Sequence, residues 1–99
     1  MMKTKVLVKA IFPAMDMEYD VKIPVNEQVW KVNKLLVKAV FDMNNFAYDI
    51  KNDNYVILNK KNGTIYDNNQ IIIDTDIRNG TELIFIKEKD VNQQLQSVK

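Results

Sequence analysis

Residues 26–43, NEQVWKVNKLLVKAVFDM, constrain the fold of this 99-residue chain more than any other stretch. At 3.6 residues per turn, Val29, Val32, Leu36, Ala39, Val40 and Met43 fall on one face. Lys31, Lys34 and Lys38 fall on the other, so the stretch reads as an amphipathic helix with a solvated back. Asn26 is the expected N-cap, Glu27 suits the first turn, and Asn44-Asn45 ends the pattern. No other stretch has comparable helical periodicity. The other apolar runs read as strands, and this helix is their cover.

The first two runs are adjacent. Across residues 3–12, Val6, Val8, Ala10 and Phe12 alternate with Lys5, Leu7 and Lys9. Across 17–23, Met17, Tyr19, Val21 and Ile23 alternate with Glu18, Asp20 and Lys22. The four residues Pro13-Ala14-Met15-Asp16 between them predict an antiparallel hairpin, and Pro24 closes the second strand. After the helix, a polar loop over 44–54 carries Phe46, Tyr48 and Ile50, expected to pin it to the body. Residues 55–59 form a third strand, Asn62-Gly63 a turn, and 64–66 a short further strand. Residues 71–77 fit either a strand or one helical turn capped by Asp74. Asn79-Gly80 is a tight turn, and 81–87 is the last strand, with Leu83 and Phe85 inward and Ile84 and Ile86 outward.

Ninety-nine residues make one domain, able to bury roughly 60–65% of the unfolded chain's surface. Fourteen basic and 13 acidic residues leave a net charge of +1, so no strong field points to nucleic acid or acidic lipid. No apolar run reaches a membrane span of about 18 residues, and Lys5 and Lys9 interrupt the basic-then-apolar start that would otherwise resemble a signal peptide. There is no cysteine and no histidine, and the single serine is Ser97. The commonest general base, the commonest metal ligand and the thiolate nucleophile are therefore missing, which argues against an enzyme. No cofactor is expected.

Two strands, a proline before a helix (Pro24), helix positions Val29, Val32 and Leu36, a strand with Val56-Ile57-Leu58, and a closing Ile77-Arg78-Asn79-Gly80-Thr81-Glu82-Leu83 resemble ubiquitin. Among ubiquitin-like proteins, the I-x-N-G-x-x-L ending is similar to the bacterial YukD/EsaB group that accompanies type VII (WXG100) secretion. The resemblance covers about residues 3–87. It implies an α+β, ubiquitin-like β-grasp: a four- to five-stranded mixed sheet packed on one amphipathic helix. Residues 1–87 would form this domain and 88–99 a polar C-terminal tail. Val91, Leu95 and Val98, at i, i+4 and i+7, would let that tail dock as a short helix, but a loose chain end is the preferred expectation. The resemblance further implies a cytoplasmic, non-enzymatic module that binds a protein, such as a type VII membrane component, without inserting in the membrane. A homo-oligomeric structural domain, a homodimer among the options, stays open. A covalent modifier or sulfur carrier is disfavoured, because the chain shows no C-terminal Gly-Gly.

Asp16, Glu18 and Asp20 share a strand face and offer oxygen ligands for a hard cation, yet a solvated face paired with Lys5 and Lys9 is simpler. Lys31, Lys34 and Lys38 read as a solvated helix back rather than a phosphate-binding stripe. Trp30, Val37 and Phe41 lie on one flank of the helix, either widening the core or forming an aromatic interaction stripe. Leu7, Ile57, Ile84 and Ile86 would lie on the outer face of the sheet, the usual recognition surface of ubiquitin-like folds. The candidate interaction residues are thus Leu7, Ile57, Ile84, Ile86, Trp30 and Phe41. The phase of 55–58 decides Ile57, since a one-residue slip exchanges it for Val56 and Leu58.

Overall fold

The computed structural model describes residues 4–45 and 54–91. Strand β1 (Lys5–Phe12) and strand β2 (Met17–Pro24) pair antiparallel in a register running from Lys5 opposite Pro24 to Phe12 opposite Met17. A single 3-10 turn, Pro13–Met15, joins them, and Asp16 completes the reversal with φ at +53°. Strand β3 (Tyr55–Asn59) and strand β4 (Glu82–Lys87) are also antiparallel, while β4 runs parallel to β1. The strand order β2-β1-β4-β3 places the two strands farthest apart in sequence at the centre. Helix α1 (Val29–Met43) lies across one face. This is the ubiquitin-like β-grasp that the pattern of elements implied.

The strand alternations of β1, β2 and β4 stand as read. Val6, Val8, Ala10, Phe12, Ile23, Leu83 and Phe85 join α1 in the main core. At its centre Phe12 stacks on Phe85, ring centroids 4.8 Å apart and planes at 18°, while Tyr19 meets Phe12 edge-on at 6.3 Å.

The helix differs in two respects. It starts at Val29 with Gln28 as N-cap, rather than at Asn26, and no side chain caps it. Its first amides instead donate to the loop that follows β3: Val29 N–H to the Gln70 carbonyl (2.8 Å) and Trp30 N–H to that of Asn68 (3.1 Å). Capping by a distant segment leaves no local signature. The buried stripe is also rotated, to Val29, Val32, Asn33, Val37, Val40 and Phe41, with Leu36 half-buried and Ala39 and Met43 exposed. Asn33 hid this. An amide at a core position made the helix look centred elsewhere, but its Nδ2 donates to the Tyr55 carbonyl at 2.7 Å and ties helix to sheet edge. At the other end Asn44 is the C-cap, as expected, and its Nδ2 donates to the Val40 carbonyl (2.8 Å) and the Tyr19 hydroxyl (3.1 Å).

The connections are mostly turns. The strand expected over 64–66 reduces to one bridge between Ile65 and Leu58. The ambiguous 71–77 stretch resolves as a 3-10 turn, Ile72–Asp74, whose N-cap is Ile71, so Asp74 is inside the turn and does not cap it. Thr75 takes that role instead: its hydroxyl donates to the Ile72 carbonyl (2.7 Å) and accepts from the Ile77 amide (3.1 Å). Gly80 sits at φ +90°, where its amide reaches the Leu7 carbonyl at 2.8 Å and starts the parallel pairing of β1 with β4. The expected pinning by Phe46, Tyr48 and Ile50, and the tail from residue 92 onward, lie outside the described residues.

Candidate interaction surface

The six candidate residues separate in the structure. Ile57 faces the helix and is only 1% exposed, so its expected place on the outer face is corrected. The register explains it. Tyr55, Ile57 and Asn59 stand beside Lys87, Phe85 and Leu83, and Val56 and Leu58 stand beside Ile86 and Ile84 on the outer face. No polar residue interrupts Tyr-Val-Ile-Leu, so alternation could not fix the phase. Phe41 is likewise in the core, meeting the Tyr55 ring edge-on at 6.1 Å, which removes it from any accessible stripe.

Ile84 and Ile86 do point outward, but each is only 5% exposed. They form a second small core with Leu58, against which Ile11, Val56 and Val91 pack. The open apolar sheet face expected there is therefore closed at its centre. Leu7 remains exposed on the same face, beside Asn79, whose Oδ1 accepts from the Leu7 amide at 2.8 Å.

Trp30 is 40% exposed, and it is held in place. Its Nε1–H donates to Gln28 Oε1 at 3.0 Å, while its backbone amide is engaged by Asn68. Gln28 in turn bridges by backbone to Ile71. The Lys31 ammonium lies 5.8 Å from the indole centroid and 3.6 Å from the Glu27 carboxylate. Ile71 and Ile73, on the segment laid along the helix start, are exposed too. An indole whose rotamer is already fixed loses little conformational freedom on contact, which favours it as an anchor. The sequence flagged Trp30; Ile71 and Ile73 carried no signal, being indistinguishable from a buried strand.

The charged candidates have ordinary partners. Asp16 lies in the hairpin turn outside β2, Glu18 pairs with Lys9 (3.7 Å), and Asp20 stands opposite Lys9, while Lys5 faces Pro24 instead of a carboxylate. Among the described residues no group of three potential ligands is placed to hold a metal ion. Lys38 pairs with Asp42 one turn on (3.3 Å), and Lys34 is exposed on the solvated back of α1.

A polar network at the far end of β3 escaped the sequence reading, because its members come from separate turns. The buried Tyr66 hydroxyl donates to Asp76 Oδ1 and accepts from Asn59 Nδ2 (3.1 Å), and Asn62 Nδ2 reaches Asp76 Oδ2 (3.4 Å). Burial, reinforced by the bond to Asp76 and partly offset by Asn59, pushes the Tyr66 hydroxyl from 10.0 up to about 12. Because the folded state favours the protonated phenol, its stabilising contribution is complete below pH 10 and lost as pH rises toward 12. Tyr66→Phe is expected to cost about 1 kcal/mol at neutral pH. Urea midpoints of wild type and variant, measured from pH 8 to 12, should converge above pH 10; a constant difference would contradict this network.

No protein-family model matches the chain, and no curated protein matches it in sequence. Among solved structures, it is similar to the ubiquitin-like domain of an Arabidopsis thaliana protein at TM-score 0.63 and 15% identity, over 87% of this chain and 80% of that one. The N-terminal ubiquitin-like domain of the 4931431F19Rik protein gives 0.65 and 14%, over 88% and 78%. A chain of the MycP5-free ESX-5 inner membrane complex gives 0.66 and 16%, over 96% of this chain and 27% of that one. At these identities the likenesses establish the fold. Among the described residues no helix is long and apolar enough to cross a membrane.

Proposed function

We propose that the chain is a non-enzymatic ubiquitin-like interaction module that captures a protein partner through the Trp30 edge. Its setting is that of a cytosolic accessory or regulatory component of a type VII secretion system, in the manner of the YukD/EsaB group. The observation that carries the interaction role is an ordered, half-exposed Trp30 braced by Gln28 on a ubiquitin-like fold. The secretion setting rests on the closing I-x-N-G-x-x-L sequence and on the likeness to a domain-sized part of an ESX-5 inner membrane complex chain. The non-enzymatic reading draws on the lack of histidine and cysteine in the sequence and on carboxylates engaged by neighbouring donors.

Affinity purification of the full-length protein from its native cells, membranes included, tests both parts. Wild type should recover a membrane ATPase or WXG100-type component, and Trp30→Ala should lose it by tenfold or more, since truncating an aromatic anchor typically costs about 2 kcal/mol or more of binding. Equal recovery by the two forms would remove the Trp30 edge from the account. Recovery of proteins unrelated to secretion would remove the setting and leave the module.

A further inference from the structure

The two outer strands of the sheet differ at their free edges. The edge of β3 is covered by the chain's own next segment: Asn59 N–H donates to the Thr64 carbonyl (2.8 Å) and Tyr66 N–H to that of Ile57 (3.0 Å). Among the described residues nothing pairs in this way with the edge of β2. The register shows which of its groups are turned outward. The Leu7 amide donates to Asn79 Oδ1 and the Lys9 amide to the Thr81 carbonyl, so both turn away from β2. The residues opposite them, Lys22 and Asp20, therefore turn their N–H and C=O groups away from β1 and out of the sheet. Glu18 belongs to the same row, and Pro24, which has no N–H, ends it.

Side chains along this edge alternate. Tyr19 and Val21 lie half-buried at the margin of the main core, while Glu18, Asp20 and Lys22 are exposed on the outer face. Glu18 is engaged by Lys9, but Asp20 and Lys22 have no ion-pair partner among the described residues. A strand added to β2 must set its own outward-turned residues against this row, and for a second copy charge separates the available registers. Centred on Tyr19, Glu18 would meet Asp20; centred on Asp20 or Lys22, that residue would meet its own counterpart. Centred on Val21, Asp20 meets Lys22, Tyr19 meets Ile23, and no like charges stand opposite. We propose that β2 is the edge through which two copies of this chain pair, antiparallel about a twofold axis at Val21, with Asp20 of each copy beside Lys22 of the other. The axis repeats each contact and joins the two four-stranded sheets edge to edge, with both helices on the same side. The proposal does not involve Trp30, which lies at the start of α1.

The test is sedimentation equilibrium of the full-length chain over a concentration series, with charge variants at these two exposed positions. Wild type should self-associate to a dimer. Asp20→Lys and Lys22→Asp should each fold with wild-type circular dichroism and weaken the dimer about tenfold or more, because like charges then face each other at both pairs. Mixed in equal amounts, the two variants should form a heterodimer as tight as the wild-type dimer, since unlike charges again stand opposite. The Asp20 and Lys22 amides of wild type should exchange with deuterium more slowly in the dimer than after dilution to monomer. A wild type that stays monomeric throughout the series would overturn the proposal. So would a dimer that both variants retain, or a mixture no tighter than its components.

Discussion

Phe85→Ala is expected to lower stability by about 3–5 kcal/mol. Phe85 lies on β4, the strand that joins the two hairpin-like halves of the sheet, and is fully buried. Its ring stacks on Phe12 of β1, the parallel neighbour, so the truncation empties space at the seam between the two strands farthest apart in sequence. A domain of this size has about 5–15 kcal/mol to lose. The melting temperature should fall by about 15 °C or more. Phe12→Ala should cost a similar amount, and the double variant less than the sum, because both remove the same stacked contact. Urea denaturation of the four proteins checks this, and additive losses would contradict the stack.

The second large effect follows from the phase of β3. Ile57→Lys places an ammonium against the helix-facing core, where burying a charge without a partner costs several kcal/mol, and the domain should be largely unfolded at 25 °C. Leu7→Lys, on the exposed end of the outer face, should stay within about 0.5 kcal/mol of wild type. Circular dichroism and urea titration distinguish the two. A folded, soluble Ile57→Lys would restore Ile57 to the outer face and invalidate the register of β3 with β4.

That contrast marks where the sequence was readable. The hairpin was legible because Lys5, Lys9, Glu18 and Asp20 punctuate the apolar positions of β1 and β2 and fix which side is wet. Strand β3 has no such punctuation, because side chains on both its faces are buried, Ile57 in the core with α1 and Leu58 in the small cluster with Ile84 and Ile86. Burial of both faces erases the alternation on which phase depends. The helix is legible from its period, but Asn33 displaces the apparent buried face, since an amide satisfied by a distant carbonyl looks solvent-facing in sequence. The Tyr66–Asp76 bond and the capping of α1 by Asn68 and Gln70 join turns that only the fold brings together. Trp30 could be singled out from composition, as the one tryptophan on a helix flank, whereas its bracing by Gln28 could not.

The outer sheet face is closed at its centre, and the Trp30 edge, with Ile71 and Ile73, carries accessible apolar surface. Solvent paramagnetic relaxation of isoleucine methyl groups in the full-length protein reads this most directly. Ile71 and Ile73, exposed beside the start of α1, should relax strongly, while Ile84 and Ile86 should relax as weakly as the core residues Ile72 and Ile77. Ile84 and Ile86 methyls relaxing as fast as those of Ile71 would contradict the claim and return the recognition surface to the open sheet.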